Sequence, residues 1–111
     1  MAGDRATLVQ GTLELLVLQT LTLGAQHGWG ISARIEQLSG EVFAVNQGAI
    51  YPALQRLRAR GWITAQWRAT EENRRARYYT LTAAGRRQLA REVAWWRRVV
   101  AGVDGVLSSG S

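Results

Sequence analysis

Most of the chain repeats its apolar residues at helical spacing, one stretch alternates, and glycines punctuate the boundaries. From Thr7 to Leu23 the residues Leu8, Val9, Leu13, Leu15, Leu16, Val17, Leu18, Leu21 and Leu23 are apolar on nearly every side, and the length and unbranched leucines predict a helix. A helix apolar all round must be covered on both faces. A domain this small offers little cover, so the pattern implies a partner chain. Gly24 supplies the stop. His27-Gly28-Trp29-Gly30 reads as a turn into a second helix with Ile31, Ile35 and Leu38 on its core face and Gly40 at its end; Trp29 is expected to pack inward. Glu41 to Val45 alternates briefly, a trace of strand. Asn46 is a natural N-cap for a third helix, with Ile50, Ala53, Leu54 and Leu57 as its core stripe and Gly61 as its stop. Because proline is tolerated only near a helix start, Pro52 predicts that the regular helix begins close to Gly48 or Ala49.

After Gly61 the period changes to two. Trp62 to Arg68 reads as a strand, Ala69 to Asn73 as a turn, and Arg75 to Leu81 as the returning strand. Two strands alone are marginal, so the hairpin must pack on the helices, and Trp67, Tyr78 and Tyr79 are expected in the core. Thr82 opens a last helix running to about Gly105. Its apolar positions Leu89, Val93, Trp96, Val100, Val103 and Leu107 step 4, 3, 4, 3, 4, a heptad seam. Such a seam beside the apolar first helix points to a homodimer, with Leu13, Leu16, Leu89, Val93, Trp96, Val100 and Val103 at the interface. Two facing Trp96 indoles are too bulky for close packing. Either they leave a flat-walled gap that suits an aromatic guest, with Glu92 and Arg97 at its rim, or Trp96 simply fills the dimer core. Trp95 is expected to pack against the first helix of either subunit. Three glycine-stopped helices on short turns have helix-turn-helix spacing. The fold class is mainly α with a small β-hairpin: a winged helix-turn-helix over residues 1–81, a dimerisation helix over 82–107, and a disordered tail at 108–111.

Composition narrows the function. With 111 residues and 47% of them hydrophobic, the chain suits one globular domain burying roughly two-thirds of its unfolded surface. Cysteine is absent, which removes disulfides and thiolate metal sites. No segment is apolar enough to span a membrane and no signal-peptide pattern opens the chain, so a cytoplasmic location is expected. His27 is the lone histidine and reads as structural. With no cysteine and no paired carboxylates either, nothing is left to run acid–base or nucleophilic catalysis, and no cofactor or metal is expected. The net charge is +6, and it is unevenly placed. Residues 1–55 hold Arg5 and Arg34 against Asp4, Glu14, Glu36 and Glu41, a net −2, whereas residues 56–111 hold twelve arginines against four carboxylates, a net +8. Lysine is absent. All-arginine usage suits phosphate and base recognition, although a GC-rich genome produces it too. The clustering is the stronger signal, and it favours a polyanion, nucleic acid ahead of a membrane surface.

The outer face of the third helix fits that partner. Gly48, Pro52, Gln55 and Ala59 lie there, flanked by Tyr51, Arg56 and Arg58. Small residues permit close approach to a groove, an amide pairs with a base edge, and arginine reaches phosphate or guanine. The hairpin tip, with Glu71, Glu72, Asn73, Arg74, Arg75 and Arg77, has the form of a wing that straddles a backbone or enters a minor groove, though its two glutamates weaken the field. The candidate contacts to double-stranded DNA are therefore Gln47, Gly48, Ala49, Tyr51, Pro52, Gln55 and Arg56 from the helix, with Arg74, Arg75 and Arg77 from the wing. Two other readings compete. One is a winged-helix module for protein–protein contact with an incidental basic surface. The other is an RNA binder, which would more usually display aromatics on a sheet.

The motifs in series resemble one family. Gly11-Thr12-Leu13 with its leucine run, His27-Gly28-Trp29-Gly30, Gly48-Ala49-Ile50-Tyr51-Pro52-Ala53-Leu54, Arg56-Leu57 and Arg60-Gly61-Trp62-Ile63 come first. Arg74-Arg75-Ala76-Arg77-Tyr78-Tyr79 and Leu81-Thr82-Ala83-Ala84-Gly85 follow, so that about residues 11–90 are covered in order. The chain resembles PadR-family transcriptional regulators of the compact kind with one C-terminal dimerisation helix; the family more often has Tyr where Trp29 stands and Leu where Ile50 stands. The resemblance implies a winged helix-turn-helix dimer that represses transcription at palindromic operators. Some members release DNA on binding small aromatic compounds, which makes such an effector a candidate partner here.

Overall fold

The computed structural model describes the backbone of residues 6–7 and all of residues 10–110. Its elements are β1 (Ala6–Thr7), α1 (Gln10–Leu21), β2 (Gln26–His27), α2 (Gly28–Leu38), β3 (Phe43–Ala44), α3 (Gln47–Ala59), β4 (Ile63–Ala69), β5 (Arg75–Leu81) and α4 (Ala83–Ser108). Thr7, expected in the first helix, pairs instead with Ala44 in a short parallel ladder, and Leu8 and Val9 lie outside the described residues.

The leucine run becomes the centre of the molecule. Leu13, Leu15, Val17, Leu18 and Leu21 of α1 are buried, and α2, α3, β5 and α4 of the same chain all pack on that helix. Most of that apolar surface is thus covered within one protomer, while Leu16 stays half-covered and Leu23 is 61% exposed. Local pattern reports that a helix is enclosed, not which chain encloses it. Ile31 and Ile35 of α2, Ile50, Leu54 and Leu57 of α3, and Ile63, Tyr79 and Leu81 of the hairpin complete the core. Each fully buried aliphatic side chain contributes about 1.5–3 kcal/mol.

His27 joins three elements. It pairs with Tyr78 as part of β2, so the hairpin acquires a third strand in the order β2-β5-β4, where a plain turn was expected. Its ring meets Tyr78 edge-on at 5.3 Å, and its Nδ1 accepts the Gly30 N–H at 3.0 Å as the N-cap of α2. Asn46 caps α3 in the same manner, its Oδ1 accepting the Gly48 N–H at 2.7 Å. Because α3 starts at Gln47, Pro52 stands at its sixth position, deeper than expected, and gives up the N–H that would reach the Gly48 carbonyl.

The hairpin is in register from Ile63↔Leu81 to Ala69↔Arg75, but only its base touches the helices. Ile63, Tyr79 and Leu81 are buried, whereas Trp67, expected in the core, is 56% exposed, because β4 and β5 project past the helices before they turn. Tyr78 is half-buried.

A tight junction sets the direction of α4. The Thr82 hydroxyl donates to the Gly61 carbonyl at 2.7 Å and accepts the Gly85 N–H at 3.0 Å, and the Thr82 N–H reaches the Trp62 carbonyl at 3.0 Å. A Cβ on Gly85 would run into that Trp62 carbonyl. Beyond Leu89 the helix leaves the core, and the molecule is 55 Å long on its major axis. It continues through Ser108 rather than ending near Gly105, since glycine in a helix interior weakens it by about 1 kcal/mol without stopping it. Ser109 and Gly110 form a turn, and Ser111 lies outside the described residues.

Gly85→Ala is expected to lower unfolding free energy by about 1–3 kcal/mol through overpacking against backbone. Gly102→Ala, with nothing within 4 Å of the new methyl, should raise it by roughly 0.5–1 kcal/mol. Chemical denaturation of both variants, at one protein concentration, checks the pair.

Candidate nucleic-acid interface

The rotation of α3 about its own axis decides which side chains it offers to a partner, and buried contacts set that rotation. Ile50, Ala53, Leu54 and Leu57 face the core. Glu14 of α1 is only 6% exposed, and its Oε2 accepts the Arg56 Nε–H at 2.7 Å while Arg60 stands 3.7 Å from its Oε1. Arg56, expected on DNA, is therefore turned back toward α1. A carboxylate this buried needs a charged, hydrogen-bonded partner, and the position of Arg56 beside the core stripe makes it that partner. Gln47 is also partly committed, its amide donating to the Ser32 Oγ of α2 at 2.9 Å.

What remains outward is Gly48, Ala49, Tyr51, Pro52, Gln55 and Arg58, all exposed. Tyr51, Gln55 and Arg58 share one helix face at spacings of four and three and look onto a groove of about 620 Å³. The start of α2 forms a second wall. There Gly28 lets the Tyr51 ring lie close, since a Cβ would approach that ring to 2.9 Å. Trp29, expected to pack inward, is 67% exposed and lines the groove, because the second position of α2 points away from α1. The hairpin is the third wall. Its turn is closed by the Thr70 N–H donating to the Arg74 carbonyl at 2.6 Å, with Asn73 at φ 61° in the left-handed region that asparagine tolerates. Arg74, Arg75 and Arg77 all line the groove. Arg75 and Arg77 both stack on Trp67, their guanidinium carbons 5.3 and 5.7 Å from the ring centroid.

The groove thus joins a helix face carrying a phenol, an amide and an arginine to the arginines of the wing. Of the ten residues expected there, Tyr51, Gln55, Arg74, Arg75 and Arg77 line the groove; Gly48, Ala49 and Pro52 are exposed on α3 but do not line it, Gln47 is tied to α2, and Arg56 is turned toward α1. Trp29 and Trp67 were expected to pack inward, and Arg58, read on the outward face, was not counted among the candidate contacts. Arg58 was legible from its spacing to Gln55, but nothing local distinguishes an exposed tryptophan from a core one.

A second concave region lies between α1 and α4. About 420 Å³ is enclosed by Leu15, Leu16, Phe43, Val93, Trp96 and Arg97, and Glu92 lines a smaller neighbour of about 280 Å³ with Trp95 and Trp96. Glu92 also accepts a hydrogen bond from the Gln88 amide at 3.2 Å. Trp95 is 61% exposed in the protomer, lines that smaller hollow beside Gly11, Thr12 and Leu15 of α1, and lies under Arg98 at 5.5 Å. Leu13 and Leu89, expected at an interface, are 3% and 7% exposed and belong to the protomer's own core. Leu16 and Val93 are half-covered, and Trp96, Val100 and Val103 stand exposed along the seam. Among the described residues no group of three His, Cys, Asp or Glu is placed to hold a metal, and no helix is long and apolar enough to cross a membrane.

Three helices ending in a recognition-type helix, followed by a basic hairpin, define a winged helix-turn-helix protein. The chain belongs to the family described as Transcriptional regulator PadR-like family, whose model matches residues 17–91. An uncharacterised 37.1 kDa protein in transposon TN4556 of Streptomyces fradiae is 43% identical over 79 residues, covering 71% of this chain; the chain spans about a fifth of that relative, 21% of its length. Among solved structures, a PadR-like transcriptional regulator from Bacillus cereus is similar at 26% identity and TM-score 0.75, covering 88% of this chain and 93% of that one. Bacillus subtilis PadR, solved in complex with operator DNA, is similar at 25% identity and TM-score 0.67, covering 77% of this chain and 48% of that one. A transcriptional regulator from Clostridium thermocellum shares the fold at 23% identity and TM-score 0.77, with 86% and 89% covered.

Replacing Glu14 with Ala is expected to lower stability by about 1–3 kcal/mol, below the full cost of breaking a buried pair because Arg56 is partly exposed. Arg58→Ala should stay within about 0.5 kcal/mol. Urea melts of the two variants compare them directly; equal midpoints would contradict the anchoring role of Glu14.

Proposed function

We propose that the protein binds double-stranded DNA as a homodimer and represses transcription at a pseudo-palindromic operator, with α3 of each protomer in a major groove and the wing beside it. The observation that carries this reading is that Tyr51, Gln55 and Arg58 of α3 open on the same groove as three wing arginines. The operator complex of the Bacillus subtilis relative supports it. Gly48, Ala49, Tyr51, Pro52 and Gln55 are assigned to the base edges and the adjoining strand. Arg58, Arg74, Arg75 and Arg77 are assigned to phosphates, Arg58 taking the place first given to Arg56. Residues 1–81 then serve DNA binding and 82–107 dimerisation, with 108–111 as a tail.

Dimerisation rests on the far half of α4. Trp96, Val100, Val103 and Leu107 form one apolar line that the protomer leaves exposed, an arrangement that a second copy of the same helix would cover. In such a dimer the two half-sites lie about 34 Å apart, or a multiple of that. The hollow beside Trp96 is assigned to a small aromatic effector, with Arg97 and Glu92 supplying polar groups.

Selection from random duplex DNA is expected to return a two-fold motif, and Gln55→Ala to alter its base preference. Arg58→Ala and Arg74→Ala should each weaken every sequence alike and reduce the salt slope by about 0.9. Weak, sequence-blind binding that vanishes at moderate salt would favour the protein-contact reading instead.

Sedimentation at micromolar concentration should give a dimer, and Val100→Glu a monomer. Planar aromatic compounds should quench tryptophan fluorescence in the wild type but not in Trp96→Ala; quenching unchanged in that variant places the site elsewhere.

A further inference from the structure

The wing holds an arrangement that neither core packing nor solvation explains. Trp67 and Arg77 are directly paired across the β4–β5 ladder, and Arg75 lies two residues along on the same face. Both guanidinium carbons sit over the one indole, at 5.3 and 5.7 Å. Two like charges sharing a ring repel each other. Neither is ion-paired to a carboxylate among the described residues. Glu71 and Glu72 are exposed at the turn, and Glu72 lines the same groove without pairing to either arginine. The Arg77 Nε is buried and has no hydrogen-bond partner. An orphaned donor beside two convergent cations calls for an anionic acceptor. The indole, 56% exposed, contributes little to the core; its contact is with the arginines.

We propose that Trp67, Arg75 and Arg77 form a preassembled seat for one phosphate of the DNA backbone, and that Trp67 is its positioning residue. This rests on the DNA-binding reading above and adds a mechanism to it. A free arginine side chain loses rotamer entropy when it fixes a phosphate. Stacking on Trp67 removes that loss before DNA arrives, because the planar guanidinium keeps its terminal amino groups available at its edge while its face lies on the ring. The seat opens into the groove faced by Tyr51, Gln55 and Arg58. A strand held there lies between α3 and the wing, gripped by the tip half of the hairpin rather than by its base.

The test uses Trp67→Ala and Trp67→Phe in the full-length chain, with circular dichroism confirming the fold of each. In the free protein the Arg75 and Arg77 Nε–H proton resonances are expected to carry ring-current shifts. These should vanish in Trp67→Ala and persist in reduced form in Trp67→Phe. Binding to a fixed duplex, titrated by fluorescence anisotropy at several salt concentrations, should weaken roughly tenfold in Trp67→Ala from the restored ordering cost of two arginines. Phenylalanine should recover part of it. In an Arg75→Ala, Arg77→Ala background, Trp67→Ala should have no further effect. Wild-type affinity in folded Trp67→Ala, an undiminished effect of Trp67→Ala without both arginines, or the absence of ring-current shifts would each overturn the seat. Inorganic phosphate moving the Arg77 resonance while added duplex leaves it unmoved would overturn DNA as the source of the phosphate. Failure of the wild type to bind any duplex would instead sink the DNA-binding reading itself, and is separately recognisable.

Discussion

One buried carboxylate orients the surface on which the proposed function rests. Glu14 lies in the wall of α1 at 6% exposure, and it is tolerable there only because Arg56 and Arg60 reach it from the α3 segment. Apolar packing of Ile50, Leu54 and Leu57 is non-directional and allows α3 to turn by some degrees. A 2.7 Å charged hydrogen bond allows much less. With that side of the helix fixed, Tyr51, Gln55 and Arg58 are presented together on the groove side. The same pair explains why a conspicuous arginine of the helix is unavailable to a partner.

Among the described residues more arginines lie over rings than pair with Glu14. Arg60 lies over Trp62, Arg68 over Tyr78, Arg75 and Arg77 over Trp67, and Arg98 over Trp95, at 5.1–5.7 Å. Stacking leaves the positive charge uncancelled, where a salt bridge would neutralise it. In a chain with twelve arginines and only four carboxylates after residue 55, this arrangement orders the side chains and keeps the field that a polyanion would feel.

The helix α4 divides its work along its length. Gly85 and Leu89 belong to the core, and the tight approach of Gly85 to the Trp62 carbonyl ties the helix direction to the end of α3 and the start of the hairpin. From Trp96 onward the apolar line has no cover in the protomer. A shift of the wing against α3 would therefore be felt at the start of α4, through backbone contacts at Thr82 that leave little slack.

The element order was legible in the sequence because it rests on local chemistry. Asn46 and Thr82 are N-caps where their side chains and positions predict, and Gly24, Gly40 and Gly61 take positive φ where the helices stop. The outward stripe of α3 was legible for the same reason, since helical spacing assigns faces once Ile50, Leu54 and Leu57 are known to be inside. Tertiary structure alone decided the rest. Residues 1–55 show a leucine helix apolar all round, but not that four elements of its own chain surround it. Glu14 and Arg56 are forty-two positions apart, and no local pattern reveals their pairing. His27 reads as a turn residue until Tyr78 lies beside it. Trp29 and Trp67 have the composition of a core and the location of a surface, because burial depends on how far the hairpin and the start of α2 extend beyond the helices. Caps, stops and faces are properties of neighbours in the chain; enclosure, ion pairing across helices and the exposure of an indole depend on what the fold brings alongside.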